Sequence, residues 1–172
     1  MGGAVYVKTR DFTTVADNTR TKVAFNKITF GSVDSTNGGN NATQGGAIYN
    51  ENGNVTISSS NFIANSASES GGALFNDVNA LTTISKGSFG YSDKKGLTVV
   101  GNSALYGGAI YNYGILNATS VTFNGNTAVQ GGALYSAIDQ TGTVDAKVTL
   151  SKNTFKYNSV RVKSGLDEEA LG

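Results

Sequence analysis

The chain contains neither histidine nor cysteine. The commonest general base at neutral pH and the thiolate metal ligands are therefore both missing. Chemistry would have to be built from carboxylates, lysines and phenols. Sites that cleave sugar chains need several Asp, or Asp with Lys or Arg, on one strand face. The carboxylates Asp11, Asp17, Asp34, Glu51, Glu69, Asp77, Asp93, Asp139 and Asp145 fall at different repeat positions, show no obvious column, and read as solvated charges on loops and corners. Asp93-Lys94-Lys95 reads as a polar loop tip. Oxygen ligands for Ca²⁺ are present, but the GGxGxD repeat of calcium-binding β-rolls is not, nor is a GxxxxGK[ST] phosphate loop. No catalytic, cofactor or metal residue is assigned, no cofactor is expected, and the chain is expected not to be an enzyme. One binding candidate remains. Tyr49, Tyr111 and Tyr135 form either an exposed strip for sugar or protein or a partly buried stack, and the stack is the reading preferred. Sequons at Asn41, Asn54 and Asn117 have the spacing for glycosylation, although an Asn-rich chain generates these by chance.

Whatever positions these groups is a repeat. One hexapeptide occurs five times: GGAVYV at 2–7, GGAIYN at 45–50, GGALFN at 71–76, GGAIYN at 107–112 and GGALYS at 131–136. The closest copies start 24 and 26 residues apart, which sets the basic unit. A second anchor is a phenylalanine in fixed context, Phe30, Phe62, Phe89, Phe123 and Phe155. Asn follows three residues later at Asn65, Asn126 and Asn158, but Val33 and Ser92 stand there in the other two units. A third anchor precedes each later GG: Asn41-Ala42-Thr43, Asn65-Ser66-Ala67, Asn102-Ser103-Ala104 and Asn126-Thr127-Ala128. Counted between these anchors, extra residues fall at one equivalent corner, in 31–40 and 90–101.

Within each unit the segments are short, alternate apolar with small polar residues, and favour Val, Ile, Thr, Tyr and Phe, as in Val55-Thr56-Ile57 and Lys147-Val148-Thr149-Leu150. Period-two alternation argues strand. A 24-residue unit of short strands cannot bury its own apolar face, whereas coiling it so that equivalent strands pair in parallel can. There is no proline, which suits a chain of centrally paired strands. The expected fold is all-β: a right-handed, single-stranded parallel β-helix of about five to six coils, spanning 1–162. Residues 163–172 would form a C-terminal tail or short cap. Columns of Ile/Leu/Val and of Phe should fill the core, the Tyr/Phe column after GGA[ILV] should point outward or to a corner, and the Asn after Phe could form a ladder.

The GGA[ILV] units at Gly45, Gly71, Gly107 and Gly131, interleaved with the FxxN units at Phe62, Phe123 and Phe155, resemble the repeats of the polymorphic outer membrane proteins of chlamydiae and of similar adhesin-like β-helix proteins. The likeness covers roughly residues 2–160. It implies an autotransporter-type passenger, extracellular or on the cell surface, whose partner is a host or neighbouring-cell surface protein or glycan. The net charge of +1 gives no reason to expect nucleic acid as partner. No apolar run is long enough for a helical membrane span. The N-terminus lacks a signal peptide, so a surface location implies a fragment or mature form. Two other readings are carried: a structural subunit whose open ends stack head to tail into a filament, and a carbohydrate-active β-helix enzyme.

Overall fold

A computed structural model describes residues 1–9, 20–33, 38–93, 95–96, 98–138 and 146–162. The expected tail or cap at 163–172 lies outside the described residues, as do 34–37 and positions 94 and 97 of the corner insertions. The described chain is a parallel β-helix of five coils. Three five-stranded sheets run along it, each taking one strand per coil in sequence order. The first holds Val5–Val7, Ile48–Asn50, Leu74–Asn76, Ile110–Asn112 and Leu134–Ser136. The second holds Lys22–Asn26, Asn54–Ser58, Leu81–Ser85, Ile115–Thr119 and Lys147–Ser151. The third holds Thr29–Phe30, Asn61–Phe62, Ser88–Phe89, Thr122–Asn124 and Thr154–Lys156. A fourth side is closed by short parallel pairs and bridges, including Ser66 to Ser103 to Thr127.

The hexapeptide makes the corner into the first sheet. Its first glycine takes a left-handed φ of 60° to 64° at Gly45, Gly71, Gly107 and Gly131, which L side chains adopt only at a cost. Its second glycine allows coils to approach. A Cβ on Gly46, Gly72 or Gly108 would lie 2.1 Å from the carbonyl oxygen of Gly72, Gly108 or Gly132 in the next coil. One glycine turns the chain and the other lets it stack.

Stacking places like on like. The Phe column runs through the core with ring centroids 4.8, 4.5, 5.2 and 4.6 Å apart and planes within 11°. Around it lie Ile48, Leu74 and Ile110 from the first sheet and Val55, Ile57, Ile84 and Leu116 from the second, all buried. The residues five and seven before each Phe are in register, Phe25–Ile57–Ile84–Ala118–Leu150 and Val23–Val55–Thr82–Leu116–Val148.

Two alignments are corrected. The residue equivalent to Asn65 in the first coil is Asn40, because Asn41 pairs with Ser66 and Ala42 with Ala67. Extra chain is also not confined to one corner. Between the first and second sheets, Val7 and Lys22 are joined by a long segment, and so are Ser136 and Lys147, where other coils use two to four residues, as between Asn112 and Ile115.

Candidate functional site

Three columns of side chains hold coil to coil, and the first of them turns inward at the corner after the third sheet. Asn40, Asn65, Asn102, Asn126 and Asn158 form a continuous ladder. Each Asn Oδ1 accepts from the backbone N–H and Nδ2 of the preceding member, at 2.8 to 3.0 Å. The Nδ2 groups of Asn65, Asn102, Asn126 and Asn158 also donate to the carbonyls of Phe30, Phe62, Phe89 and Phe123. The two lapses of FxxN are therefore no lapses in space. The insertions after Phe30 and Phe89 delay the Asn, and the chain returns to supply it.

A second ladder occupies the last position of the hexapeptide, which sequence reasoning left unassigned. Asn50 Nδ2 donates to Asn76 Oδ1 at 3.2 Å, Asn76 Nδ2 to Asn112 Oδ1 at 2.8 Å, and Asn112 Nδ2 to Ser136 Oγ at 3.1 Å. The three Asn are fully buried. The ladder also satisfies Thr82, a polar residue at a core position, whose Oγ1 donates to Asn76 Oδ1 at 2.6 Å. The N in GGA[IL][YF]N was the available signal.

The third column faces outward. Tyr6, Tyr49, Phe75, Tyr111 and Tyr135 stack with centroids 5.4, 4.9, 5.1 and 5.2 Å apart. Tyr49 and Tyr111, two of the three candidate binding residues, are buried, and Tyr135 is half-buried. The stack is the reading that holds. Beside it runs the position after the hexapeptide: Lys8, Glu51, Asp77, Tyr113 and Ala137, in register because Val7, Asn50, Asn76, Asn112 and Ser136 are. The expectation that the carboxylates share no column fails here: Glu51 and Asp77 are equivalents on adjacent coils. The motif ends one residue earlier, so the pairing is hidden in sequence.

The two columns bond across. Tyr6 donates its hydroxyl to Glu51, and Tyr49 donates to Asp77 Oδ2 at 2.5 Å. Phe75 has no hydroxyl, and the next coil carries Tyr113 instead of an acid, its ring edge-on to Phe75 at 6.1 Å. Burial, and then the Asp77 bond, push the Tyr49 phenol above the ordinary range. Burial and a hydrogen bond with Tyr113 do the same for Tyr111. Burial and the neighbouring Asp77 raise the Glu51 carboxyl, while Lys8 Nζ sits 3.2 Å from Glu51 Oε1. A polar cleft of about 300 Å³ lies over Lys8, Glu51, Asn52, Asp77 and Asn79. Both acids already hold partners there: phenols, Lys8, and for Asp77 the N–H of Val78 at 2.7 Å.

The other candidate carboxylates are not brought together. Glu69 is exposed on the fourth side and Asp93 sits at a hairpin turn, while Asp11, Asp17, Asp34, Asp139 and Asp145 lie outside the described residues. Among the described residues no group of three or more acids could hold a metal ion. Of the sequons, Asn41 is exposed and Asn54 and Asn117 are half-buried.

The insertion at 90–101 leaves the third-sheet corner as a hairpin, Tyr91–Ser92 pairing antiparallel with Val99–Val100. Its base is pressed on the next coil, for a Cβ on Gly90 or Gly101 would lie within 1.9 Å of the Asn124 or Gly125 carbonyl oxygen. Beyond the hairpin, the fourth side carries an open groove of about 490 Å³ lined by Ala67, Ala104, Leu105, Ala128, Val129 and Arg161, among others.

Residues 120–137 match the family model of the Chlamydia polymorphic membrane protein repeat. The matched stretch holds Phe123-x-x-Asn126 and Gly131-Gly132-Ala133-Leu134, one rung of the corner ladder and one GG corner. No curated protein and no solved structure gives a significant match to the chain. No helix among the described residues is long and apolar enough to cross a membrane.

Proposed function

We propose that this chain is the β-helical stalk of a non-enzymatic cell-surface protein, and that its corner insertions are adhesive. Residues 1–162 act as one solenoid domain, with no catalytic, cofactor or metal residue. The observation that carries the reading is how the polar and aromatic side chains are used. The Asn, Phe and Tyr columns bond to their own equivalents one coil away, so they hold the rod together. The acids best placed for chemistry, Glu51 and Asp77, are engaged by Tyr6 and Tyr49. A carboxylate held by phenols and a lysine braces neighbouring coils, and this disfavours the sugar-cleaving alternative.

Coils differ in length at their corners, beside the Asn ladder in 31–40 and 90–101 and between the first and second sheets after Val7 and Ser136. A rigid scaffold that presents variable loops is the usual geometry of a binding protein. The partner is a protein or glycan on a host or neighbouring cell. Replacing 90–101 with the Ile63-Ala64 corner of the second coil, followed by Asn102, should preserve the far-ultraviolet circular dichroism and the melting transition while abolishing attachment of the purified protein to cells. Attachment at wild-type level by the shortened protein would overturn the proposal.

A further inference from the structure

The net charge of +1 hides a separation of charge along the rod. In every coil a nine-residue span runs from the second-sheet strand to the core phenylalanine: 22–30, 54–62, 81–89, 115–123 and 147–155. All five spans lie within the described residues. None of the chain's 12 acids falls in them, but Lys22, Lys27, Lys86, Lys147 and Lys152 do. The five lysines are exposed, and among the described residues none of them makes an ion pair. The acids of the first and last coils, Asp11, Asp17, Asp34, Asp139 and Asp145, belong to the long connections after Val7, Phe30 and Ser136. The corner between the second and third sheets carries no insertion and is two residues long in every coil.

Three of the lysines stand in line at that corner. Its left-handed residue is Lys27, Ser59, Lys86, Ser120 and Lys152 in successive coils, and the first four bond through their N–H to the following coil. A lysine therefore recurs every second rung, about 9.6 Å apart. Beside the row the outward positions are short and polar, Ser58, Ser85 and Thr119 on one side and Asn61, Ser88 and Thr122 on the other. At physiological salt charges are felt over about 8 Å, so a ligand at this edge meets the row and not the net charge.

Sparse fixed cations separated by hydroxyls and amides complement a stiff linear polymer with sparse anions and many hydroxyls. Duplex DNA is a poor fit, with a charge every ~1.7 Å of axis. Single strands are held on aromatic platforms, and the only rings in these spans are phenylalanines of the core columns. Membrane-surface binders sink an apolar face below the headgroups, whereas the flanks here are polar. We propose that the edge between the second and third sheets is a track for a linear sulfated polysaccharide. Lys27, Lys86 and Lys152 pair with sulfates, and the flanking hydroxyls and amides bond sugar hydroxyls. The track is separate from the corner insertions and gives the stalk a contact surface of its own.

Serine already fills this corner at positions 59 and 120, so Lys27→Ser, Lys86→Ser, Lys152→Ser should keep the wild-type circular dichroism and melting transition. Its affinity for immobilised heparin at about 50 mM salt should fall at least about tenfold. The salt dependence of what remains should flatten, because fewer counterions are released. Lys8→Ser, Lys95→Ser, Arg161→Ser removes the same charge from other sides of the rod and should change the affinity less than about threefold. Desulfated heparin should bind the wild type no better than it binds the row variant. If the row variant does not fold, Lys86→Ser alone runs the test from the interior of the rod, with a loss of at least about threefold expected. A wild type that does not bind heparin, equal losses in the two triple variants, or row-dependent binding that is tighter to phosphatidylserine vesicles or to DNA would overturn the proposal. The protein shortened at 90–101 should bind heparin as the wild type does, so this proposal and that of the adhesive insertions can fail separately.

Discussion

Asn102 stands at the middle of the corner ladder, and replacing it with Leu tests whether that ladder holds the rod. The side chain is fully buried. Its Oδ1 accepts from the N–H and Nδ2 of Asn65, at 3.0 and 2.9 Å, and its Nδ2 donates to Phe62 O at 3.0 Å and Asn126 Oδ1 at 2.9 Å. Leu has nearly the same volume, so little cavity forms. It strands the Asn65 backbone N–H and one hydrogen of Asn65 Nδ2, whose other hydrogen stays on Phe30 O, while the Phe62 carbonyl keeps the Gly90 N–H at 2.7 Å and Asn126 Oδ1 keeps the backbone N–H of residue 102. An unsatisfied buried group costs about 1–3 kcal/mol. Two of them, partly relaxed, give a loss of about 3 kcal/mol. The control is the same substitution at Asn158, which accepts from the N–H and Nδ2 of Asn126 and donates to Phe123 O in the same way but is only half-buried. Water reaches the stranded groups there, and the loss should be about 1 kcal/mol. Urea unfolding followed by circular dichroism measures both, with the slope watched because a solenoid can lose its outer coils separately. Equal losses at the two positions, or a loss below about 1 kcal/mol at Asn102, would refute the argument that buried bonds in the ladder hold the coils in register.

Gly108→Ala should prevent the fourth and fifth GG corners from stacking, because the new Cβ would lie 2.1 Å from Gly132 O and 2.6 Å from Thr127 O. Gly96→Ala, with open space around it but a φ of +70°, should cost only about 1–2 kcal/mol; melting temperatures of the two variants separate crowding from backbone strain. A third expectation concerns pH. The Glu51 carboxyl is raised in the folded chain, first by burial and then by Asp77, so the folded state disfavours its charged form. The contribution of Glu51 is therefore most favourable below its ordinary, unfolded value and is lost as pH rises through the folded one. Glu51→Gln should be relatively less stable than the wild type at pH 4 and recover at pH 7.5. Urea titrations at both values test this, and a variant that loses ground as pH rises would show that the Lys8 pair outweighs burial.

How much of this was legible in sequence depended on whether the signal lay inside a motif. The Phe column could be placed because each Phe keeps its distance from the residues five and seven before it, and the structure pairs those positions without a slip. The Asn ladder was legible in part. A fixed FxxN spacing cannot follow an Asn whose insertion lies between the two residues, so Asn40 and Asn102 were found as a separate anchor, and the first of them one residue late. The inner ladder of Asn50, Asn76 and Asn112 was missed for another reason. Alternation turns the Asn after an outward Tyr inward, but a lone polar residue there names no partner, and only closure of the coil sets it against its equivalent in the next. Likewise, the alignment of Glu51 with Asp77 needed the corner lengths. Three left-handed lysine corners, Lys27, Lys86 and Lys152, carry no sequence mark, because the backbone there is fixed by bonds to neighbouring coils, such as Lys27 N–H to Ser58 O at 3.0 Å.

The same physics explains why this fold tolerates change where it does. A coil is held by its neighbours through registers fixed every rung: one stacked ring, two Asn contacts and a pair of glycines. None of these reads the length of the corner that precedes it, provided the chain returns to phase. The insertion after Phe89 shows the condition being met. The hairpin of Tyr91–Ser92 with Val99–Val100 closes on itself, Gly90 and Gly101 seat its base against Asn124 and Gly125, and Asn102 re-enters the ladder at full burial. Loop closure grows costly only slowly with length, whereas one missing ladder bond in the interior costs a kilocalorie or more. Selection can therefore vary the corners freely and the columns hardly at all. That asymmetry leaves the corners as the surface free to vary, and it keeps Glu51 and Asp77 bracing the coils from outside.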